Sequence, residues 1–302
     1  MSSIATNYQQ LIDETILTQG VNKIQVGNKE YNVKIILSDH DLIDRAFEEL
    51  KALQAWNDNE EIESCIENGE IATPAKVVRG THPALHYRGN ALKRHKIWFQ
   101  KEGKHYLVYK YTGWQWKVLN ATFKITSEKF PALWKLVEEL RESTGVVSNH
   151  WIMTLYENGL DYIGMHSDKM ITWRQGSSFI VQKWGHPRLF QIALQDEQET
   201  IIFNKILPPG TKVIVDDATN LLTRHGVPTM PPEKYGPIGP SGSIVGRDIE
   251  MEVDFITANR EIAKSIKAAK QRKEKKEEKR AKKRKRDGEG DGGSSSTTLA
   301  QH

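Results

Sequence analysis

Residues 166 to 168 read His-Ser-Asp. In an extended segment, side chains two apart point to the same face, so His166 and Asp168 can reach one metal ion. A third ligand has to come from another part of the chain. His225 sits in LLTRHGVP (221–228), on a later predicted strand that a sheet can fold back beside the first. The competitor is His186, nearer in sequence, whose Gly-His-Pro setting is a turn and reads as a surface histidine. Two imidazoles and one carboxylate on one face of an octahedral metal leave three positions open. That suits ferrous iron with a chelating cosubstrate and O₂, whereas hydrolytic zinc needs one open position.

Positioning such a set requires a β framework, and the sequence supplies one. From Asn149 onward the helical period disappears and short β-type runs follow one another: 150–156, 162–166, 178–184, 188–194, 200–207, 211–217, 221–227 and 247–256, with Gly and Pro turns between them. That rhythm predicts a sandwich or jelly roll. The Pro- and Gly-rich stretch PTMPPEKYGPIGPSGS (228–243) reads as an inserted loop. Ahead of the strands, 35–56 reads as a short strand and then an amphipathic helix with Ser38 as N-cap; 127–144 is a second helix with Leu133, Leu136, Val137 and Leu140 on one face. Helices that precede the strands rather than alternate with them argue against a doubly wound parallel sheet. Between the helices, 88–118 is basic and aromatic with β alternation.

Composition bounds the setting. The chain has 302 residues, 38% of them hydrophobic, which is enough to bury a core in the first 260 or so. Cys65 is the only cysteine, so neither an internal disulfide nor a thiolate zinc site can form. The N-terminus lacks the basic-then-apolar order of a signal peptide and no apolar run is long enough to span a bilayer, so no membrane partner is expected. The charge is uneven. Lys264 to Arg286 holds fourteen Lys or Arg against three Glu, a net of +11; three acids follow, and with a chain total of +4 the first 263 residues carry −4. Attraction to nucleic acid would come from this tail or from local patches and would be salt-dependent. KKRKR (282–286) resembles a nuclear localisation signal, which gives a nuclear import receptor as partner and the nucleus, otherwise the cytoplasm, as location. GEGDGGSSSTTLAQH after it is low-complexity.

The segment YENGLDYIGMHSDK (156–169), followed by GSSFIVQ (176–182) and RLFQI (188–192), resembles the AlkB family of iron- and 2-oxoglutarate-dependent dioxygenases. LSDHDLIDRAFEELKALQAW is similar to that family's opening helix, and RHKIWF with YTGWQW to its nucleotide-recognition lid. The resemblance implies an α+β, mainly β fold: a double-stranded β-helix (jelly roll) core with preceding helices and a β-rich N-terminal lid. The expected organisation is an N-terminal extension over 1–32, a dioxygenase domain over 33–258 with the lid near 76–120 and the core near 149–258, and a basic, helical then disordered tail over 259–302. It implies His166, Asp168 and His225 as the catalytic metal ligands, Fe(II), 2-oxoglutarate and O₂ as cofactors, and Arg247, helped by Tyr156 and with Thr154 nearby, as the partner of the cosubstrate's distal carboxylate. A planar guanidinium offers a carboxylate two parallel donors.

The implied substrate is a modified base in DNA or RNA, demethylated or hydroxylated as in DNA repair. Arg94 and Lys96 would meet phosphates, Trp114 and Trp116 with Tyr109 and Tyr111 would stack bases, and Trp98, Met170 and Arg188 complete the expected substrate residues. The sequence departs from the family at Thr154, commonly Asn, at Ile249, commonly Asn, at Val253, where repair enzymes carry a second Arg, and at Met170, often acidic in repair enzymes. A carboxylate at 170 would favour a cationic methylated base and a thioether does not. Two alternatives therefore stand beside this reading: a protein or small-molecule hydroxylase on the same fold, and a catalytically inactive nucleic-acid-binding module.

Overall fold

The computed structural model describes residues 20–26, 28–37, 41–52, 86–87, 90–91, 94–109, 122–195 and 200–289. The protein is mainly β, with several sheets and a few helices. In chain order the elements are β1 (Gly20–Val26), β2 (Lys29–Leu37), α1 (Asp41–Ala52), β3 (His86–Tyr87), β4 (Asn90–Ala91), β5 (His95–Lys101), β6 (His105–Leu107), β7 (Thr122–Ile125) and α2 (Pro131–Thr144). Then come β8 (His150–Tyr156), β9 (Ile163–His166), β10 (Phe179–Gly185), β11 (Arg188–Leu194), β12 (Ile201–Leu207), β13 (Thr211–Val215) and α3 (Asp217–Leu222). The chain continues through β14 (Thr223–Val227), α4 (Pro232–Tyr235), β15 (Ser241–Arg247), β16 (Glu252–Asp254) and α5 (Phe255–Glu289).

A large sheet runs in the order β1-β2-β13-β10-β15-β8-β5-β7 and a smaller one β12-β11-β14-β9. Alternation along each strand sorts the side chains. On β8, Ile152 points to one face, and Trp151, Met153 and Leu155 to the other. The first face meets the small sheet: Trp98, Ile152, Phe179 and Val213 pack against Phe190, Ile192 and Phe203. The second face is covered by the two helices. Phe47 of α1 stacks on Trp184 of β10 at 4.1 Å, and Leu133, Leu136, Val137 and Leu140 of α2 join the same cluster. Pro131 opens α2, and Gly145 closes it at φ 73°, a left-handed cap. The first amides of α2 are satisfied from α1: Glu49 accepts from the N–H of Ala132 at 2.8 Å and of Leu133 at 2.9 Å.

Three expectations are corrected. Residues 221–222, expected to start a strand, instead end a helix over Asp217–Leu222, because Asp216 caps it by accepting the Thr219 N–H at 2.6 Å, and the strand starts at Thr223. The expected strand over 247–256 is divided: Arg247 ends β15, Glu252–Asp254 forms β16, and α5 begins at Phe255. The expected loop over 228–243 contains α4 and the start of β15, a central strand. SGS (241–243) reads as the end of that Pro- and Gly-rich loop, yet the strand it opens requires Gly242 and Gly246. A Cβ at Gly242 would lie 2.6 Å from the Thr154 carbonyl oxygen and 3.2 Å from Phe47, and one at Gly246 would lie 2.8 Å from Ser148 Oγ. The large sheet also begins at Gly20, inside the segment expected to be an extension. Among the described residues no helix is long and apolar enough to cross a membrane.

Candidate metal centre

His166 ends β9 and pairs with His225 on β14. This register sets their rings 4.5 Å apart between centroids. Beyond β9 the chain is pinned to α3 and β14. Ser167 Oγ donates to the Thr223 carbonyl at 2.6 Å, the Asp168 N–H donates to Asn220 Oδ1 at 3.1 Å, and Asn220 Nδ2 donates to the Asp168 carbonyl at 3.0 Å. The Asp168 side chain is thereby turned inward, and one ligand atom from each of His166, Asp168 and His225 lies within 4.8 Å of the others. His186, the competitor, is outside this group.

The protonation states fit a metal. The His166 Nδ1 faces the Gly164 carbonyl at 2.8 Å; an oxygen there can only accept, so Nδ1 carries the proton and Nε2 presents its lone pair on the Asp168 side, 3.8 Å from Oδ1. Burial lowers the His166 pKa, with Asp168 acting in the opposite sense. Burial, with His166 beside it, lowers His225 to about 3. Burial alone would raise the Asp168 carboxyl, but Arg247, then His225 and His166, outweigh it and hold it well below the usual carboxylate range. Two neutral imidazoles and one carboxylate are the donor set for Fe(II), so the residues present fit that ion.

Arg247, for which the resemblance implied the cosubstrate's distal carboxylate, lies against the ligand set. Its Nε and Nη2 both donate to Asp168 Oδ2, at 3.0 and 2.6 Å. The guanidinium lies 4.9 Å over the Tyr109 ring and 5.7 Å over Trp173. Oδ2 is thus taken up by Arg247, and Oδ1 remains on the side of the two imidazoles, reached by the Tyr109 hydroxyl at 3.5 Å. Asn220 escaped sequence reasoning, and Tyr109, expected beside Tyr111 as a base-stacking residue, instead reaches Asp168. The Asp-Asp pair before Ala218 was the signal for a helix N-cap that would have placed Asn220.

Tyr156 and Thr154 are buried on β8, and the Arg188 guanidinium lies 4.9 Å over the Tyr156 ring. Of the expected substrate residues, Trp98 is fully buried in the core and has no face to offer a base. Arg188 is buried too, donating to the Asn158, Asp161 and Pro228 carbonyls, so it ties loops together rather than lining a surface. Lys96 is half-buried, 5.9 Å over the Trp98 ring. Arg94 Nη1 donates to the Tyr162 carbonyl at 3.2 Å. Met170 is half-buried against the inter-sheet core, and Tyr111, Trp114 and Trp116 lie outside the described residues.

No protein-family model matches the chain, and no curated protein does. Among solved structures, one titled "The structure of OsALKBH1" is similar over 77% of this chain and 100% of that one, at 10% identity and a TM-score of 0.41, a likeness too slight to argue from.

Proposed function

We propose that the chain is an iron(II)- and 2-oxoglutarate-dependent dioxygenase of AlkB type, its two facing sheets forming a jelly roll. The observation that carries this is the convergence of His166, Asp168 and His225, with one ligand atom from each within 4.8 Å of the others. Three ligands on one side leave the remaining positions of an octahedral ion for a chelating keto acid and O₂. With both bound, the metal centre supplies O₂ activation, the keto acid being split to succinate and CO₂ while a substrate C–H is oxidised.

The chain's own residues hold and orient. His166 and His225 stay unprotonated because burial disfavours the imidazolium, so no proton has to leave before metal binds. Asp168 stays ionised through Arg247. Phe179, 5.1 Å from the His225 ring, and Phe190, 6.0 Å from it, exclude water behind the ligand set. Asn220, Ser167 and Arg247 fix the ligand loop before any metal arrives.

The substrate class that fits best is a modified base in nucleic acid, supported by α5, whose described residues from Lys270 to Arg284 are exposed and strongly basic. This tail, with KKRKR at its end, also supports a nuclear location. A protein or small-molecule hydroxylase is the second reading, favoured by the burial of Trp98 and by Met170 in place of an acid. The deciding experiment is anaerobic loading with Fe(II) and 2-oxoglutarate, then O₂, with succinate measured alone and with methylated DNA and RNA oligonucleotides. Succinate that depends on His166 and rises with one oligonucleotide supports the reading; no metal-dependent succinate under any condition overturns it.

A further inference from the structure

The inner face of the large sheet carries a second set of polar groups that the metal centre does not use. Lys183 on β10 pairs with Ser243 on β15, which pairs with Thr154 on β8; one step along, Gly185 pairs with Ser241, which pairs with Tyr156. Lys183 shares a face with Phe179 and Val181, since Ile180 and Trp184 point to the helices. All five side chains are buried: Lys183 at 4% exposure, Ser241 at 0%, and Ser243, Thr154 and Tyr156 likewise. Ser241 Oγ has no hydrogen-bond partner among the described residues.

Lys183 is the unusual member. Its Nζ donates to the carbonyls of Trp184 and, at 3.3 Å, of Gly242, and no carboxylate among the described residues lies within ion-pair distance. A buried ammonium facing only neutral oxygens is costly, and its charge is disfavoured by burial and then by Arg188. The neighbouring cations are committed elsewhere: Arg247 to Asp168, Arg188 to three carbonyls. Along β10, Phe179 touches the His225 ring at 5.1 Å, and Lys183 follows four residues later on the same face, about 13 Å along an extended strand. A five-carbon keto diacid held at the metal by its keto-acid end and a four-methylene lysine stem together span that interval once Nζ leaves the Trp184 and Gly242 carbonyls.

Resting on the dioxygenase reading above, we propose that Lys183, with Ser241 and Tyr156 beside it, anchors the distal carboxylate of 2-oxoglutarate, and that Arg247 is a positioning residue for Asp168. The anion supplies the counter-charge that Lys183 lacks, and the serine hydroxyl and the phenol donate to its second oxygen.

The test is anaerobic titration of Fe(II)-loaded full-length protein with 2-oxoglutarate and, separately, with 2-oxobutanoate, which keeps the keto acid and lacks the distal carboxylate. Binding is read from the visible charge-transfer absorption of the keto-acid complex. Lys183→Met is expected to weaken 2-oxoglutarate about 10- to 100-fold, as for loss of a charge-assisted bond, and to leave 2-oxobutanoate unchanged. Lys183→Arg recovers part of the loss, and Lys183→Gln gives the same measurement should the methionine variant not fold. Arg247→Met is expected to weaken Fe(II) binding and to affect both keto acids by one factor. Unchanged 2-oxoglutarate affinity in Lys183→Met, or equal weakening of both ligands, overturns the assignment of Lys183 and leaves the dioxygenase reading intact. Wild-type protein that binds neither keto acid overturns both.

Discussion

Asn220 grips the peptide of Asp168 from both ends, accepting from its N–H at 3.1 Å and donating to its carbonyl at 3.0 Å. Outer partners of this kind fix a ligand's orientation, and their loss typically costs 10- to 100-fold in metal affinity. Asn220→Ala is expected to weaken Fe(II) binding by about that factor while the large sheet remains intact. Competition against a chelator measures it, and circular dichroism monitors the sheet. Unchanged metal affinity would mean that Ser167 and Arg247 hold the loop unaided.

Asp168 and Arg247 are both almost fully buried and bonded through two nitrogens. Asp168→Asn preserves shape but leaves the guanidinium opposite a neutral amide. Breaking a buried pair on one side costs about 3–5 kcal/mol, so urea denaturation of the metal-free variant is expected to show a loss of that order. Replacing both residues by apolar ones of similar volume, Asp168→Leu with Arg247→Met, is expected to recover much of it.

His150 lies in the core beside Tyr109, with both ring nitrogens lacking hydrogen-bond partners among the described residues, and burial followed by Arg247 lowers its pKa to about 3. Unfolded histidine titrates near 6.5. Between those values the unfolded chain binds a proton that the folded one refuses, so stability rises with pH and is lost as pH falls below about 6.5. The wild type is expected to lose about 1.4 kcal/mol per pH unit more than His150→Gln on going from pH 6 to pH 5. Parallel denaturation curves for the two proteins across that range would contradict the assignment.

Glu49 caps α2 from a different helix. Glu49→Ala is expected to destabilise by about 0.5–2 kcal/mol, and Glu49→Gln by less, since one acceptor oxygen remains. Thermal unfolding measures both, and Fe(II) affinity should not move, because α1 and α2 cover the face away from the metal ligands.

The strands whose hydrophobic runs were continuous were readable: β8 and β11 begin and end where the sequence placed them, at 150–156 and 188–194. Failure came where tertiary contacts outweigh local preference. β15 hides behind Gly242 and Gly246, chosen for the close approach of Phe47 and Ser148 rather than for strand propensity. α3 was hidden by the apolar Leu221 and Leu222, which read as a strand although the Asp216 cap starts a helix. At the site, residue types and the two-residue spacing pointed to the side chains that converge. The contact of Arg247 with Asp168 was not legible, since it joins the end of β15 to a residue 79 positions earlier in the chain.

β15 is the last strand of the large sheet to appear in the sequence, yet it lies between β10 and β8 in its middle. A nascent chain that has not yet emerged past Arg247 therefore has a sheet in two halves, with the edges of β8 and β10 exposed to each other's company or to a neighbouring chain's. Completion of the sheet and delivery of the Asp168 partner are one event on the ribosome. A polypeptide stalled short of that residue would have all three candidate ligands, with Asn220 holding the Asp168 backbone and no cation to hold its carboxylate.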